Sequence, residues 1–270
     1  GQFERYMSSW ANRRLSTISR ADIDGIHKTV GKKNGKTAAN RLLTLLKTVF
    51  KKGGEWGLFR GDNPCQHIKL FREKKRERHV TDGEMFVFMS HLEKHSCVDF
   101  RDYVLVSLYT GTRQGNIMAM KWGDLSLASK TWKIPETKNG DSQVVELLPI
   151  VIELLERRQQ HQTLETEWVF PDPRDSGKHL KRFGHTWAKF MVQTKLKDLR
   201  MHDLRHTLAT WMVNQGTDLA VVQRVLGHRK IETTMGYAHH APDVKRGEMA
   251  KAVEAMNTAG GLRNINPTSS

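Results

Sequence analysis

The sequence predicts a mainly α-helical chain with a small antiparallel β-sheet, an α+β protein organised in two domains. Three observations carry this. Apolar residues return at helical spacing in two well-separated stretches: Leu42, Leu43, Leu45, Leu46, Val49 and Phe50 early, then Leu204, Leu208, Trp211 and Met212 late. Between them, Thr131 to Pro135 and Val144 to Leu148 flank a polar turn, the pattern of a β-hairpin. Charge is also unevenly spread, with 19 Lys and Arg against 7 Asp and Glu over residues 1–78 and 25 against 22 in the remainder.

A length of 270 residues at 38% hydrophobic content is enough for two cored domains. No apolar run approaches the roughly 20 residues that a membrane span needs. Cys65 and Cys97 make neither a disulfide framework nor a metal cluster, which fits a reducing cytosol, and no signal-like segment opens the chain. The formal charge of +15, held mostly by the first third, predicts a polyanionic partner bound less tightly as salt rises. An acidic membrane surface is the competing partner, but no basic amphipathic helix with an exposed aromatic face supports it.

In that first third the leucine stripe predicts a helix over 37–52, closed by Gly53-Gly54. Arg41, Lys47 and Lys51 lie on its other side, and Lys32-Lys33-Asn34-Gly35-Lys36 reads as a basic loop before it. A basic stripe is most often a solvated face. On a domain this cationic, Lys32, Lys33, Lys36, Arg41, Lys47 and Lys51 are expected to contact phosphates. Residues 1–72 are expected to form this domain, and the charged run across 73–79 is the expected linker, a cationic strap that would let two domains close around such a partner.

The second domain is expected over 80–256. Thr81-Asp82-Gly83-Glu84 is a capping box before an apolar helical face at Met85, Phe88, Met89 and Leu92. A helix from 98 to 109 ends at Gly111, and Thr112 caps the next one, placing Arg113 in its first turn, where anions are favoured. After the hairpin come a helix over 151–160, a short strand over 168–170 and a helix over 180–194. A helix over 202–214 is ended by Gly216, Thr217 or Asp218 caps another that Gly227 stops, and Tyr237 sits on a shorter third piece over 231–238. Residues 244–256 are expected as a short helix in need of a surface, and 257–270 as a disordered tail.

The densest polar chemistry lies in His202-Asp203-Leu204-Arg205-His206-Thr207, Leu226-Gly227-His228 and Tyr237-Ala238-His239. His202 and Arg205, three apart, share a helix face. A guanidinium holds phosphate oxygens bidentately and stays charged, whereas a phenol is an unusual nucleophile that needs nearby cations to offset its pKa of about 10. Cations around a tyrosine suggest phosphoryl chemistry. Singly, each residue has a bland reading: a surface histidine, a solvated arginine, a core tyrosine. No Gly-rich phosphate loop or metal-ligand set accompanies them, and His239-His240 lacks acidic partners, so no cofactor is expected.

These segments resemble the H-x-x-R, L-G-H and Y-x-H signatures of the tyrosine recombinases, the phage integrase family. Thr110-Gly111-Thr112-Arg113 resembles the family's first-arginine motif, and Lys138, in Thr137-Lys138-Asn139-Gly140, its hairpin lysine. Five motifs in the family's order are far more specific than one. The resemblance implies a site-specific DNA recombinase that cleaves and rejoins strands through a 3′-phosphotyrosyl intermediate. Arg113, Lys138, His202, Arg205, His228 and Tyr237 would be its catalytic residues. It implies double-stranded attachment or recombination sites as partner, a homotetramer on paired sites, accessory DNA-bending or excisionase proteins, and a bacterial host cytoplasm. It also implies a further helix before residue 37, so the chain is expected to begin partway into the DNA-gripping domain. One departure is Asn116, where the family commonly has an acidic residue; an amide can orient a guanidinium but cannot balance its charge. A type IB topoisomerase-like relaxase and a non-catalytic DNA-binding regulator on the same fold are the other readings.

Overall fold

The chain divides into two compact units, Gly1–Arg76 and Glu77–Ser270. The computed structural model describes residues 1–73, 76–135, 142–240, 253 and 256, without the side chains of 238–240. The observed architecture is mainly helical with small antiparallel sheets. The expected helix over 244–256, apart from Val253 and Met256, and the expected tail over 257–270 lie outside the described residues.

The first unit is built on a helical hairpin. After a short α1 (Gln2–Tyr6), α2 (Arg20–Asn34) and α3 (Lys36–Glu55) are joined by Gly35 alone, at a φ of 91° that an L side chain rarely adopts. Ser19 starts α2: its hydroxyl accepts from the Asp22 N–H, and the Asp22 carboxylate accepts from the Ser19 N–H at 2.9 Å. Ile23 and Val30 then face Leu42, Leu43, Leu46 and Phe50 in a closed core. Three expectations are corrected here. The helix expected to be missing before α3 is present as α2. Lys32 and Lys33 are no loop but the last turn of that helix, where the exposed carbonyls and the dipole favour cations. Gly53-Gly54 does not stop α3 either. Gly53 is buried, and a Cβ there would come within 2.9 Å of Leu15 Cδ1, so this glycine serves packing and the helix runs on to Glu55.

Asn40 locks the end of this unit. Its Oδ1 accepts from the Phe71 N–H at 2.9 Å while its Nδ2 donates to the Phe71 carbonyl at 2.8 Å, the pairing a neighbouring strand would make. The same side chain meets His27 Nε2 at 3.2 Å and Glu73, and the Phe71 ring stacks on His27 at 4.4 Å. Phe71 and Glu73 are therefore fastened to α2 and α3, while Arg78 pairs with Glu84 in the second unit. The charged run is tied at both ends.

In the second unit, α4 (Asp82–Glu93) starts at the expected Thr81/Glu84 capping box. Next come α5 (Val98–Thr110) and a five-residue α6 (Gln114–Met118). Strands β1 (Leu125–Ser126), β2 (Thr131–Ile134) and β3 (Gln143–Glu146) form an antiparallel sheet in the order β1-β2-β3, with Trp132 opposite Val145. Helix α7 (Pro149–His161) follows, then a two-stranded ribbon of β4 (Pro171–Asp172) and β5 (Asp175–His179), then α8 (Gly184–Thr194). The expected strand over 168–170 is replaced by a single bridge, Lys121 to Trp168, and the ribbon lies just after it. Residues 180–183 stay outside α8 because Leu180 donates its N–H to the Phe170 carbonyl, prolonging the ribbon. The chain closes with α9 (Asp203–Asn214), α10 (Leu219–Leu226), α11 (Ile231–Thr234) and a 3-10 turn over Met235–His240.

The core of this unit is aromatic. Phe100 meets Phe183 and Phe190 edge-on at 5.5 Å each, Phe88 meets Phe190 at 5.4 Å and Tyr103 meets Phe170 at 5.8 Å. Such pairs add about 0.5 to 1.5 kcal/mol each beyond the area they bury. Asp102, fully buried on α5, is held by Arg157 at 2.6 Å and Arg158 at 3.0 Å, which ties α5 to α7. Replacing Asn40 by Ala would strand the buried His27 and the half-buried Phe71 backbone groups it satisfies. Urea denaturation is expected to show a loss of about 1 to 3 kcal/mol, against about 0.5 kcal/mol or less for the exposed Thr48→Ala.

Candidate active site

Four segments meet around Arg205. This side chain is 5% exposed, and its guanidinium donates to two carbonyls, that of Gly111 at 2.6 Å and that of Leu226 at 2.7 Å. Gly111 ends α5 at a φ of 60°, and Leu226 is the last residue of α10 before Gly227 at a φ of 63°. Helix C-termini leave carbonyls without intrahelical partners, so one buried cation caps two of them together. The turn at Gly111 is crowded. A Cβ there would come within 2.8 Å of Leu226 and 2.9 Å of Leu208, on a backbone that already disfavours one.

α9 is itself anchored. The Asp203 carboxylate accepts from the Arg200 N–H at 2.7 Å. Thr207 donates to the Asp203 carbonyl and accepts from the Val80 N–H at 2.9 Å, and the Trp211 indole donates to the Val80 carbonyl at 3.0 Å. His202 occupies the position before α9, so its ring and Arg205 lie one turn apart. Of the two residues the sequence offers, it is Asp218 that caps α10, accepting from the Ala220 N–H. His228, past the Gly227 stop, has its Nδ1 2.9 Å from the Thr234 hydroxyl. Tyr237 is buried at 7% exposure, with its hydroxyl 2.7 Å from Nδ1 of His206. The ring of His202 stands edge-on to that of His206 at 5.3 Å.

These groups also act on one another electrostatically. Burial, then the nearby Arg113, lowers the Arg205 pKa to about 10, with Tyr237 opposing. Burial, then the charges of Arg205, Arg113, His206 and His202, lowers His228 to about 4. His202 is lowered by burial and then by Arg205, against Asp203. Tyr237 is raised by burial, while Arg205 pulls it down. Arg113, His202, Arg205, His228 and Tyr237 are thus brought together.

Other expectations fare differently. Arg113 is not in the first turn of α6; it is the residue before it, with an extended backbone, and Thr112 makes no cap. The Thr112 N–H is taken instead by the Thr110 hydroxyl, which tightens the turn one residue early, and the buried Thr112 hydroxyl has no partner. Asn116 reaches Arg113 through its backbone N–H at 3.0 Å, and its side-chain Nδ2 is buried without a partner. Lys138 lies outside the described residues. Gln143, which opens β3 shortly after it, packs on the α10 stop: a Cβ on Gly227 would come within 2.5 Å of its amide. Lys32, Lys33, Lys36, Arg41 and Lys51 are exposed and Lys47 half-buried on the first unit, which holds none of the residues around Arg205. Sequence reasoning passed over His206 and Thr234. His206 stands inside a quoted motif, but no periodicity says which of two histidines four apart will meet a tyrosine 31 residues on.

Among the described residues no helix is long and apolar enough to cross a membrane, and no three His, Cys, Asp or Glu side chains are grouped to hold a metal ion.

Two outcomes follow from this geometry. Gly111→Ala is expected to lose about 2 kcal/mol or more in denaturant unfolding, since it adds left-handed strain to overpacking. The neutral His228 binds a proton less readily folded, near 4, than unfolded, near 6.5. Its contribution to stability is therefore complete above 6.5 and is lost as pH falls towards 4. Ring-proton NMR should find the low midpoint, and His228→Asn should flatten the fall of the thermal midpoint across that window.

The sequence model of the phage integrase family matches residues 78–243. The integrase of Escherichia phage 186 is 26% identical over 211 residues, which cover 76% of this chain and 56% of that protein, so the chain spans little more than half of that relative's length. Tyrosine recombinase XerD of Shewanella oneidensis is 26% identical over 253 residues, 88% of this chain and 82% of that one. A solved structure of the Tn1549 transposon integrase, in complex with a circular intermediate DNA, shares the fold with a TM-score of 0.74 at 18% identity, covering 92% of each chain. A match over more than half of the chain, taking in the turn at Gly111, the helix of Arg205 and the segment of Tyr237, makes this protein a member of the phage integrase family.

Proposed function

We propose that this chain is the DNA-cleaving and rejoining part of a site-specific recombinase that integrates or excises phage or mobile-element DNA. The Tyr237 oxygen attacks a phosphodiester in line. A phosphorus–oxygen bond to Tyr237 forms, the bond to the 5′ oxygen breaks, and a 3′-phosphotyrosyl ester and a free 5′-hydroxyl result. The observation that carries this reading is the buried Tyr237 hydroxyl, 2.7 Å from Nδ1 of His206 on the same helix as the buried Arg205.

Arg113 and Arg205 hold the non-bridging oxygens, where charge gathers as the phosphorus is attacked; one such donor is worth about 3 to 4 kcal/mol. His202 assists proton movement and His228 hydrogen-bonds the phosphoryl group. Burial supports the second role, since an imidazole lowered to about 4 is neutral at pH 7 and, with Nδ1 engaged by Thr234, has its other nitrogen for the ligand. Lys138 protonates the leaving 5′ oxygen, the role that family membership supports. The ester keeps the bond energy, so rejoining needs no nucleotide, and side-chain cations take the place of a metal or cofactor.

The first unit grips the duplex through Lys32, Lys33, Lys36, Arg41, Lys47 and Lys51, which the surplus of 19 basic over 7 acidic residues in 1–78 supports. Exchange between two duplexes breaks four strands, so the working assembly is a homotetramer on paired sites in the cytoplasm, with accessory DNA-bending or excisionase proteins setting direction.

Nicked suicide substrates carrying the element's attachment site test the chemistry. The wild type is expected to form a protein–DNA adduct that survives EDTA and denaturing gels. Tyr237→Phe forms none, and Arg113→Ala forms it about 100-fold or more slowly. Binding without an adduct would make the protein a regulator, and adducts that relax supercoils without a paired site would make it a relaxase.

A further inference from the structure

The residue against the Tyr237 hydroxyl is neither of the arginines nor His202. It is His206, whose Nδ1 lies 2.7 Å from the oxygen, with ring centroids 5.7 Å apart. We infer that His206 holds the Tyr237 hydroxyl for attack and takes its proton as the bond to phosphorus forms. This rests on the proposed cleavage chemistry and adds a residue to it.

The geometry favours such a role on three counts. Tyr237 is almost wholly buried, and a buried hydroxyl must donate to something. With the ring proton on Nε2, Nδ1 of His206 is an acceptor in line for that donation. His206 also lies on α9 beside Arg205, on a helix pinned by Thr207 and Trp211 to Val80, so its ring is carried by a fixed element, whereas Tyr237 sits on a short 3-10 turn. The fixed partner sets the position of the less constrained one. His202, edge-on to His206 at 5.3 Å, meets the ring of His206 rather than the Tyr237 hydroxyl.

The step balances without a co-reactant. The Tyr237 O–H bond breaks and its proton passes to Nδ1 of His206; the oxygen–phosphorus bond forms; the bond to the 5′ oxygen breaks; and that oxygen takes its proton from the group on the opposite side of the phosphate. In the reverse step the imidazolium returns its proton to the departing Tyr237 oxygen. The proton passes from one group of the site to another, so the transfer itself leaves the net charge of the space unchanged.

Two half-reactions separate this from a merely structural role. The first is adduct formation on a nicked suicide substrate, which uses Tyr237. The second is joining of a nicked duplex whose 3′ end carries a p-nitrophenyl phosphate, so that the 5′-hydroxyl attacks an already activated phosphorus and Tyr237 is not needed; Tyr237→Phe serves as the control. His206→Ala and His206→Asn are each expected to slow adduct formation, Ala by about 100-fold or more, while both join the activated end within about threefold of the wild type. Adduct formation within about threefold of the wild type in both variants would overturn the inference. So would a parallel fall of both half-reactions in both variants, which marks a packing role. If the wild type joins the activated end yet forms no adduct, the cleavage reading itself fails and the role of His206 goes with it.

Discussion

The arrangement of this protein's polar residues depends on one buried guanidinium. Arg205 donates to the carbonyls of Gly111 and Leu226, which end two helices distant in sequence, and so holds the turn before Arg113 against the turn before His228. Neither carbonyl neutralises the charge. The site is left with Arg113 and Arg205 close enough to depress the proton affinity of their neighbours, while burial removes the water that would screen them. An anion entering there relieves a repulsion that folding has already built in.

That arrangement is paid for by the rest of the second unit. An aromatic cluster around Phe100 and a fully buried Asp102 clasped by two arginines make a rigid body on which α5 and α9 keep their places. The glycines at 111 and 227 serve the same end. Each turns the chain where a side chain would collide, Gly111 with Leu208 and Leu226, Gly227 with Gln143. In Leu226-Gly227-His228 the glycine is thus a steric requirement set by β3 as well as a helix stop.

The first unit teaches a different lesson about glycine. Gly31 and Gly53 sit inside helices, where they are ordinarily unfavourable, and each accommodates a large side chain, Phe71 in one case and Leu15 in the other. Reading Gly53-Gly54 as a terminator follows from local propensity, and packing overrides it. Likewise Ile23, Ile26, His27 and Val30 carry a helical period, but Gly25 and Gly31 among them mask α2 from a reading based on propensity alone.

Much of the architecture is legible in the residues themselves. The helical stripes, the capping box at Thr81 and Glu84 and the stop at Gly227 are local matters, decided by spacing and by which backbone groups lack partners, so the sequence alone determines them. The short strings that hold Arg113, His202, Arg205, His228 and Tyr237 are legible in the same way. The tertiary structure alone decided that Arg205 caps both Gly111 and Leu226, that Gln143 packs on Gly227, and that His206 is the imidazole on Tyr237. These depend on contacts between segments tens of residues apart. Such contacts are settled by how whole helices pack, and no periodicity along the chain records that.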